Sequence, residues 1–170
     1  MKCYILRWNL EKSHFTKEKY LQFLTDFRKC EDDVGLSWQI DQWEDAHKGD
    51  MFVILQNHSD NDGVLMIGKF ESEPYEKISP YTGKSGHVID LEILSAFDRT
   101  PEIKILVAFQ LEKEFPEIDW RGGIHGELID NFVADRLCIR IMDELIARDI
   151  WNEWTFSDFF EIKTVTMNEL

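Results

Sequence analysis

The sequence predicts an α+β fold in a single domain over residues 1–170. Its length lies in the usual range for one domain, which can bury a sizeable core without disulfides or metals. Short runs of β-favouring residues recur along the chain, and stretches with helical spacing lie among them. This mixture favours a sheet that packs against helices.

The N-terminal segment predicts a strand followed by a helix. Residues 3–8 alternate and contain β-favouring types, and a polar break follows at 9–13. From Thr16, which can cap a helix, the apolar residues change to helical spacing and lie on one face: Tyr20, Phe23, Leu24 and Phe27. We expect this surface helix to end near Cys30.

The middle of the chain predicts further strands at 36–40, 51–55, 64–70 and 87–94. The continuous apolar run 51–55 is typical of a buried strand, and Asp62-Gly63 predicts a turn that joins it to 64–70 in a hairpin. Residues 43–46 predict one turn of helix, and 71–87 predict a loop rich in Pro, Gly, Ser and Tyr.

Two helices are predicted in the last third. Thr100-Pro101-Glu102 is a typical helix start, and we expect that helix to run toward Pro116. Asp130 predicts the cap of a longer helix to about Arg148, with these residues at core spacing: Phe132, Val133, Leu137, Ile141, Leu145 and Ile146. The aromatic last twenty residues, including Trp151 and Trp154, are expected to pack, with a strand at 162–165.

The charge limits the classes of partner. With 33 acidic and 19 basic residues the formal net charge is −14, which argues against a broad phosphate-binding surface. Any contact with nucleic acid must be local. The same charge suits a basic protein partner and would be repelled by anionic membranes.

Residue spacing gives no sign of a cofactor or a membrane anchor. Cys3, Cys30 and Cys138 lack CxxC spacing, and the five histidines show no HExxH, so we expect no metal and no cofactor. No apolar stretch approaches about 18 residues, and the N-terminal apolar run is too short for a signal peptide. A cytoplasmic protein is expected.

Four of the six tryptophans lie at or just beyond the ends of short strands, beside polar residues: Trp8, Trp38, Trp43 and Trp120. Each has two interpretations, a core residue or the wall of a ligand pocket. His125 lies in a glycine-rich loop, where it either bonds to backbone or contacts a ligand.

Five segments follow one another in a recognisable order: Tyr4-Ile5-Leu6-Arg7-Trp8, Lys48-Gly49-Asp50-Met51-Phe52-Val53, Gly63 to Phe70, Ser72-Glu73-Pro74-Tyr75 and the late segment Trp120 to Ile129. This order resembles the EVE branch of the PUA-like superfamily. His125 stands where the family pattern has Ser. The resemblance covers residues 2–96 and that late segment; the helix at 16–30 and the tail beyond 150 have no counterpart in it.

The resemblance implies a mixed β pseudo-barrel with flanking helices. Its core would span about 2–130, with a helical and aromatic C-terminal extension over about 131–170. Such domains hold a base, often a modified one, in an aromatic-lined pocket and are not enzymes alone. By this resemblance Trp8 or Trp38 would stack on the base, and Asn9, Arg121 or His125 would read its edge.

Two functions therefore compete. The first is a non-enzymatic binding domain for a nucleobase, a modified nucleotide or another small aromatic ligand, with Trp8, Asn9, Trp38, Trp43, Trp120, Arg121 and His125 as candidate site residues. The alternative is an acidic interaction module that docks a basic protein through its carboxylates and its tail. A hydrolase using His125 with Glu127 or Asp119 is less favoured, because no activated nucleophile can be named.

Overall fold

A curled mixed sheet with three helices forms a half-barrel in the computed structural model, which describes residues 2–29 and 35–149. The elements in chain order are β1 (Cys3–Asn9), α1 (Lys17–Arg28), β2 (Leu36–Gln39), β3 (Met51–Asn57), β4 (Gly63–Phe70), β5 (Tyr75–Ile78), β6 (Ser85–Ala96), α2 (Ala108–Glu114), β7 (Glu127–Ile129) and α3 (Asn131–Ala147). The strand order is β2-β6-β4-β3-β1-β7, and β5 pairs with the first part of β6.

Strands β1 and β3 form the centre of the fold and pair in parallel, from Cys3 opposite Met51 to Asn9 opposite Asn57. The other strand pairs are antiparallel. Every residue of β3 is buried, as the apolar run at 51–55 predicts. Both faces of the central strands are therefore covered.

Each face of the sheet has its own apolar core. On one face Tyr4, Leu6 and Trp8 of β1 share a core with side chains of α1. On the other face Cys3 and Ile5 share a core with α2 and α3. The alternation along β1 sends successive side chains to opposite cores.

The two longer helices begin where their caps predict. The Thr16 hydroxyl accepts a hydrogen bond from the Lys19 amide at the start of α1, and the Asp130 carboxylate accepts one from the Phe132 amide at the start of α3. These side chains satisfy amides that have no partner within the helix. Both predicted helices are confirmed, although Phe132 and Ile146 of α3 are exposed and do not belong to the core.

The predicted helix start at Thr100 is wrong. Ile103 donates a hydrogen bond to the Thr100 carbonyl in a turn, and the helix begins only at Ala108. Val107 forms a β-bridge with Gly63, and the Val64 amide donates to the Leu106 carbonyl. This pairing with β4 holds Leu106 (φ +45°) and Val107 (φ −75°, ψ 132°) in non-helical conformations, so tertiary contacts outweigh the local helix signal.

The predicted loop at 71–87 is also partly wrong, because it contains β5 and the first residues of β6. Strand β7 was not predicted either, and it forms by pairing with the edge of β1. Residues 43–46 form a turn closed by a hydrogen bond from the Ala46 amide to the Trp43 carbonyl. The predicted packing of Trp151 and Trp154 and the strand at 162–165 lie outside the described residues.

Among the described helices, none has the length and apolar character needed to cross a bilayer.

Gly68 of β4 lies in close contact with β6 because it has no side chain. A Cβ at this position would collide with the Glu92 carbonyl oxygen and lie 2.9 Å from the Phe52 ring. We expect Gly68→Ala to lower the free energy of unfolding by about 1–3 kcal/mol, because the strand cannot retreat without breaking its pairing.

The matched control is Gly86→Ala in β6, where a Cβ would meet nothing within 4 Å. Urea unfolding of both variants measures the difference. An equal loss of stability in the two variants would contradict the packing described for Gly68.

Candidate functional site

The two ends of the strand order meet at what we call the seam, formed by residues 39–42 and 124–128. Asp41 donates its amide to the His125 carbonyl, and its carboxylate accepts from the His125 amide at 3.0 Å. Gln42 donates to the Gly126 carbonyl and accepts from the Leu128 amide at 2.8 Å. These hydrogen bonds join the β2 end to the β7 end without strand pairing.

Beside the seam lies a cleft of about 420 Å³. It is bounded by the end of β1, the loop that follows β1, strand β2, the turn between β5 and β6, and the loop before β7. Its lining residues are Arg7, Asn9, Lys12, Ser13, His14, Phe15, Leu36, Ser37, Trp38, Gln39, Tyr81 and His125. A volume of this size is in the range of small-molecule sites.

Trp38 links the two sides of the cleft. Its indole nitrogen donates to the Arg7 carbonyl at 3.1 Å, which connects β2 to β1 although these strands are not neighbours in the sheet. Its ring meets Phe15 edge-on, with centroids 5.7 Å apart. Trp38 is half-buried, so the indole is held by the protein and still borders open space.

Arg7 holds the loop that carries His125. Its buried guanidinium donates to the carbonyls of Ile124 (2.6 Å) and Asp119 (2.8 Å) and pairs with Glu127 at 2.9 Å. Gly123 lies directly against it with φ +87°, and a Cβ there would be 2.6 Å from Arg7 Cζ. The loop can therefore lie over the guanidinium only with glycine at this position.

The mouth of the cleft is formed by two loops in contact. Asn9 Oδ1 accepts from the amides of Glu11 (3.0 Å) and Lys12 (3.3 Å), which fixes the turn after β1. His14 in the same loop stacks on Tyr81 with centroids 3.8 Å apart and planes 9° from parallel. This ring pair connects the β1 loop to the β5–β6 turn.

The charge of the cleft differs from that of the whole protein. Among the described residues that line it there is no Asp or Glu, while Arg7, Lys12, His14 and His125 are basic. Glu127 offsets the charge of Arg7. The Lys12 ammonium forms no ion pair within the described part of the chain. An anionic group is thus less disfavoured here than the net charge of −14 suggests.

Of the seven residues predicted for the site, Asn9, Trp38 and His125 line the cleft. Trp8 and Trp120 are buried, with 1% and 2% of their surface exposed, and their indole nitrogens donate to the carbonyls of Phe15 and Phe115. Both fill cores.

The other two predicted residues lie away from the cleft lining. Trp43 is half-buried and stacks on His87 at 3.8 Å. Arg121 bonds to Glu112 at 3.1 Å and faces Asp62 at 3.5 Å, and the hydrogen bond to Glu112 raises the pKa of Arg121.

Sequence reasoning missed several lining residues, chiefly Lys12, His14, Phe15 and Tyr81. The first three lie within six residues after Asn9, in the loop that follows β1. Asn9 was a candidate because it lies at a strand end, and the same reasoning applies to this loop. Tyr81 carried no such signal. It reaches the cleft because β5 and β6 form a hairpin whose turn contains it.

No model of a known protein family matches the chain, and no curated protein matches it in sequence. Solved structures do match. Human THYN1, in complex with DNA containing 5-methylcytosine, superposes with a TM-score of 0.54 at 9% identity, over 81% of this chain and 95% of that one. The Pseudomonas syringae protein PSPTO5229 gives 0.51 at 12%, over 81% and 99%.

In its fold the chain is similar to PUA/EVE-like domains. The YTH domain of mmi1, solved with RNA, is also similar to this chain, with a TM-score of 0.50 at 12% identity over 86% of this chain and 85% of that one. At these identities the likeness concerns the fold. It confirms the predicted mixed β pseudo-barrel with flanking helices, which the structure forms as a half-barrel.

A side chain at position 123 would lower the stability of the protein in two ways, through the positive φ of Gly123 and through contact with Arg7. We expect Gly123→Ala to lower the free energy of unfolding by about 1–2 kcal/mol for its positive φ and by about 1–3 kcal/mol more for the contact with Arg7.

Gly49→Ala is the control, because Gly49 has φ +93° and nothing within 4 Å of a new Cβ. It should show only the conformational cost. Chemical denaturation compares the two variants, and an equal loss for both would show that Arg7 does not constrain the loop.

Proposed function

We propose that this PUA-like domain is a non-enzymatic binding domain that holds one unpaired nucleobase, or a modified base, in the cleft beside the seam. The observation that carries this proposal is Trp38, an anchored and half-buried indole that borders a cleft of about 420 Å³. Stacking of a base on an aromatic ring contributes about 1–3 kcal/mol of binding free energy, and it does not depend on which base is bound.

Polar groups near Trp38 support the proposal because they are free to read a base edge. The Asn9 amide nitrogen makes no hydrogen bond to the described residues, since the contacts of that side chain use Oδ1. The His125 ring likewise has no partner there. A base held by Trp38 would receive donors and acceptors from these two side chains, and one such edge pairing gives selectivity among bases.

The comparisons favour the same class of ligand. The human THYN1 structure contains DNA with 5-methylcytosine, and the mmi1 structure contains RNA. A modified pyrimidine nucleoside is therefore the first ligand to test. The alternative, an acidic module for a basic protein, depends on the overall charge and on an aromatic tail outside the described residues, and no similar structure supports it.

A binding role is preferred to catalysis on the geometry of the cleft. The serines that line it are Ser13 and Ser37, and neither hydroxyl is hydrogen-bonded to a histidine ring within the described chain. A serine nucleophile needs such a base within hydrogen-bond reach. Within residues 2–29 and 35–149 no cluster of His, Cys, Asp and Glu has the form of a metal site.

Trp38→Ala tests the proposal by calorimetric titration with deoxycytidine, 5-methyldeoxycytidine and the four common ribonucleosides. We expect at least one nucleoside to bind the unmodified protein and the variant to lose about 1–3 kcal/mol of binding free energy, because the stacking surface is gone.

Two variants serve as controls. Trp38→Phe keeps an aromatic face but loses the hydrogen bond to Arg7, and it should retain much of the affinity. Trp43→Ala, outside the cleft, should bind as the unmodified protein does. Binding that is unchanged in Trp38→Ala, or absent for every nucleoside with the unmodified protein, would refute the proposal.

A further inference from the structure

We propose that the cleft takes a base together with a single phosphate, as a free mononucleotide or as the terminal nucleotide of a strand, and not as an internal position of a long strand. This inference rests on the proposed function. The observations behind it are the charges of the side chains that line the cleft and of those that surround it.

Lys12 supplies the charge for one phosphate. Its amide bonds to both the side chain and the carbonyl of Asn9, at 3.3 Å in each case, so its backbone is fixed against the residue that lines the cleft at the end of β1. The Lys12 side chain is exposed, and its ammonium forms no ion pair with any described carboxylate. A phosphate beside a base in the cleft would meet this unpaired cation.

The other basic lining groups do not provide a second permanent charge. Arg7 is 4% exposed, and its guanidinium is occupied by two carbonyls and by Glu127. His14 stacks on Tyr81, and the amide and carbonyl of His125 are both engaged by Asp41. An imidazole, unlike a lysine or arginine side chain, carries no permanent charge.

Beyond the cleft the surface becomes unfavourable for a polyanion. Glu11 precedes Lys12 and is exposed, and the exposed carboxylate of Asp41 lies at the seam. Lys19 of α1 keeps its charge, but its ammonium is held against the loop main chain by a hydrogen bond to the His14 carbonyl at 3.1 Å. The net charge of −14 repels each further phosphate outside the cleft. Few lysine or arginine side chains are there to neutralise these phosphates and release their counterions.

The experiment compares the tightest-binding nucleoside with its 5′- and 3′-monophosphates by calorimetry. It adds 12-nucleotide single strands that carry the same base at a phosphorylated end or at the centre. We expect a monophosphate to bind about two- to five-fold more tightly than the nucleoside, which is the range of one exposed charge pair. The end-positioned strand should match the monophosphate, and the central position should bind more weakly.

Two further measurements isolate the charge contact. Within the Lys12→Gln variant the monophosphate and the nucleoside should bind with equal affinity, whereas Lys17→Gln in α1, outside the cleft lining, should keep the preference for the monophosphate. For the end-positioned strand, log affinity against log salt should have a slope of about −0.7, the value for one phosphate contact on single strands.

The outcomes separate this inference from the proposed function. Equal affinity for nucleoside and monophosphates, or a Lys12→Gln variant that keeps the preference, would overturn the phosphate site while base binding stands. Tighter binding of the central position, with a salt slope steeper than about −2, would overturn the limit to a single phosphate. Absence of binding by every probe would refute base binding itself.

Discussion

The parallel pairing of β1 with β3 is the constraint on which the rest of the structure depends. Parallel neighbours cannot be joined by a tight turn, so the connection from β1 to β3 must cross one face of the sheet. That crossover contains α1, which covers one core, and β2, which pairs with β6 at the far end of the strand order. The sheet curls as a result, and its two ends meet at the seam.

The cleft is a consequence of this closure, because it lies where the end of β1, strand β2 and the loop before β7 come together. Its chemistry is correspondingly local. Among the described residues that line this cleft there is no Asp or Glu, and the nearby Asp41 and Glu127 bond to the His125 amide and to Arg7. The net charge of −14 limits how many phosphates a ligand can carry, and the basic side chains of the cleft determine where an anionic group can bind.

Local sequence signals predict the parts of the fold that local interactions determine. The apolar run of β3 and the caps Thr16 and Asp130 identify a buried strand and two helices without knowledge of the partners. Strands β5 and β7 are short and form only where β6 and β1 provide an edge, and the pairing of Val107 with Gly63 delays α2. No property of their own residues reveals these partners.

The same distinction applies to the site. Trp8 and Trp38 both stand beside polar residues near strand ends, but Trp8 follows Tyr4 and Leu6 into a core, whereas Trp38 lies at an edge of the sheet. The seam at that edge has main-chain and side-chain hydrogen bonds but no β-ladder, in contrast to the seven-residue pairing of β1 with β3. Local opening of the seam therefore breaks no β-ladder, although Ile40 of the seam belongs to one core and lies against Gly126. We expect the amides of Asp41 and His125 to exchange with solvent sooner than those of β3.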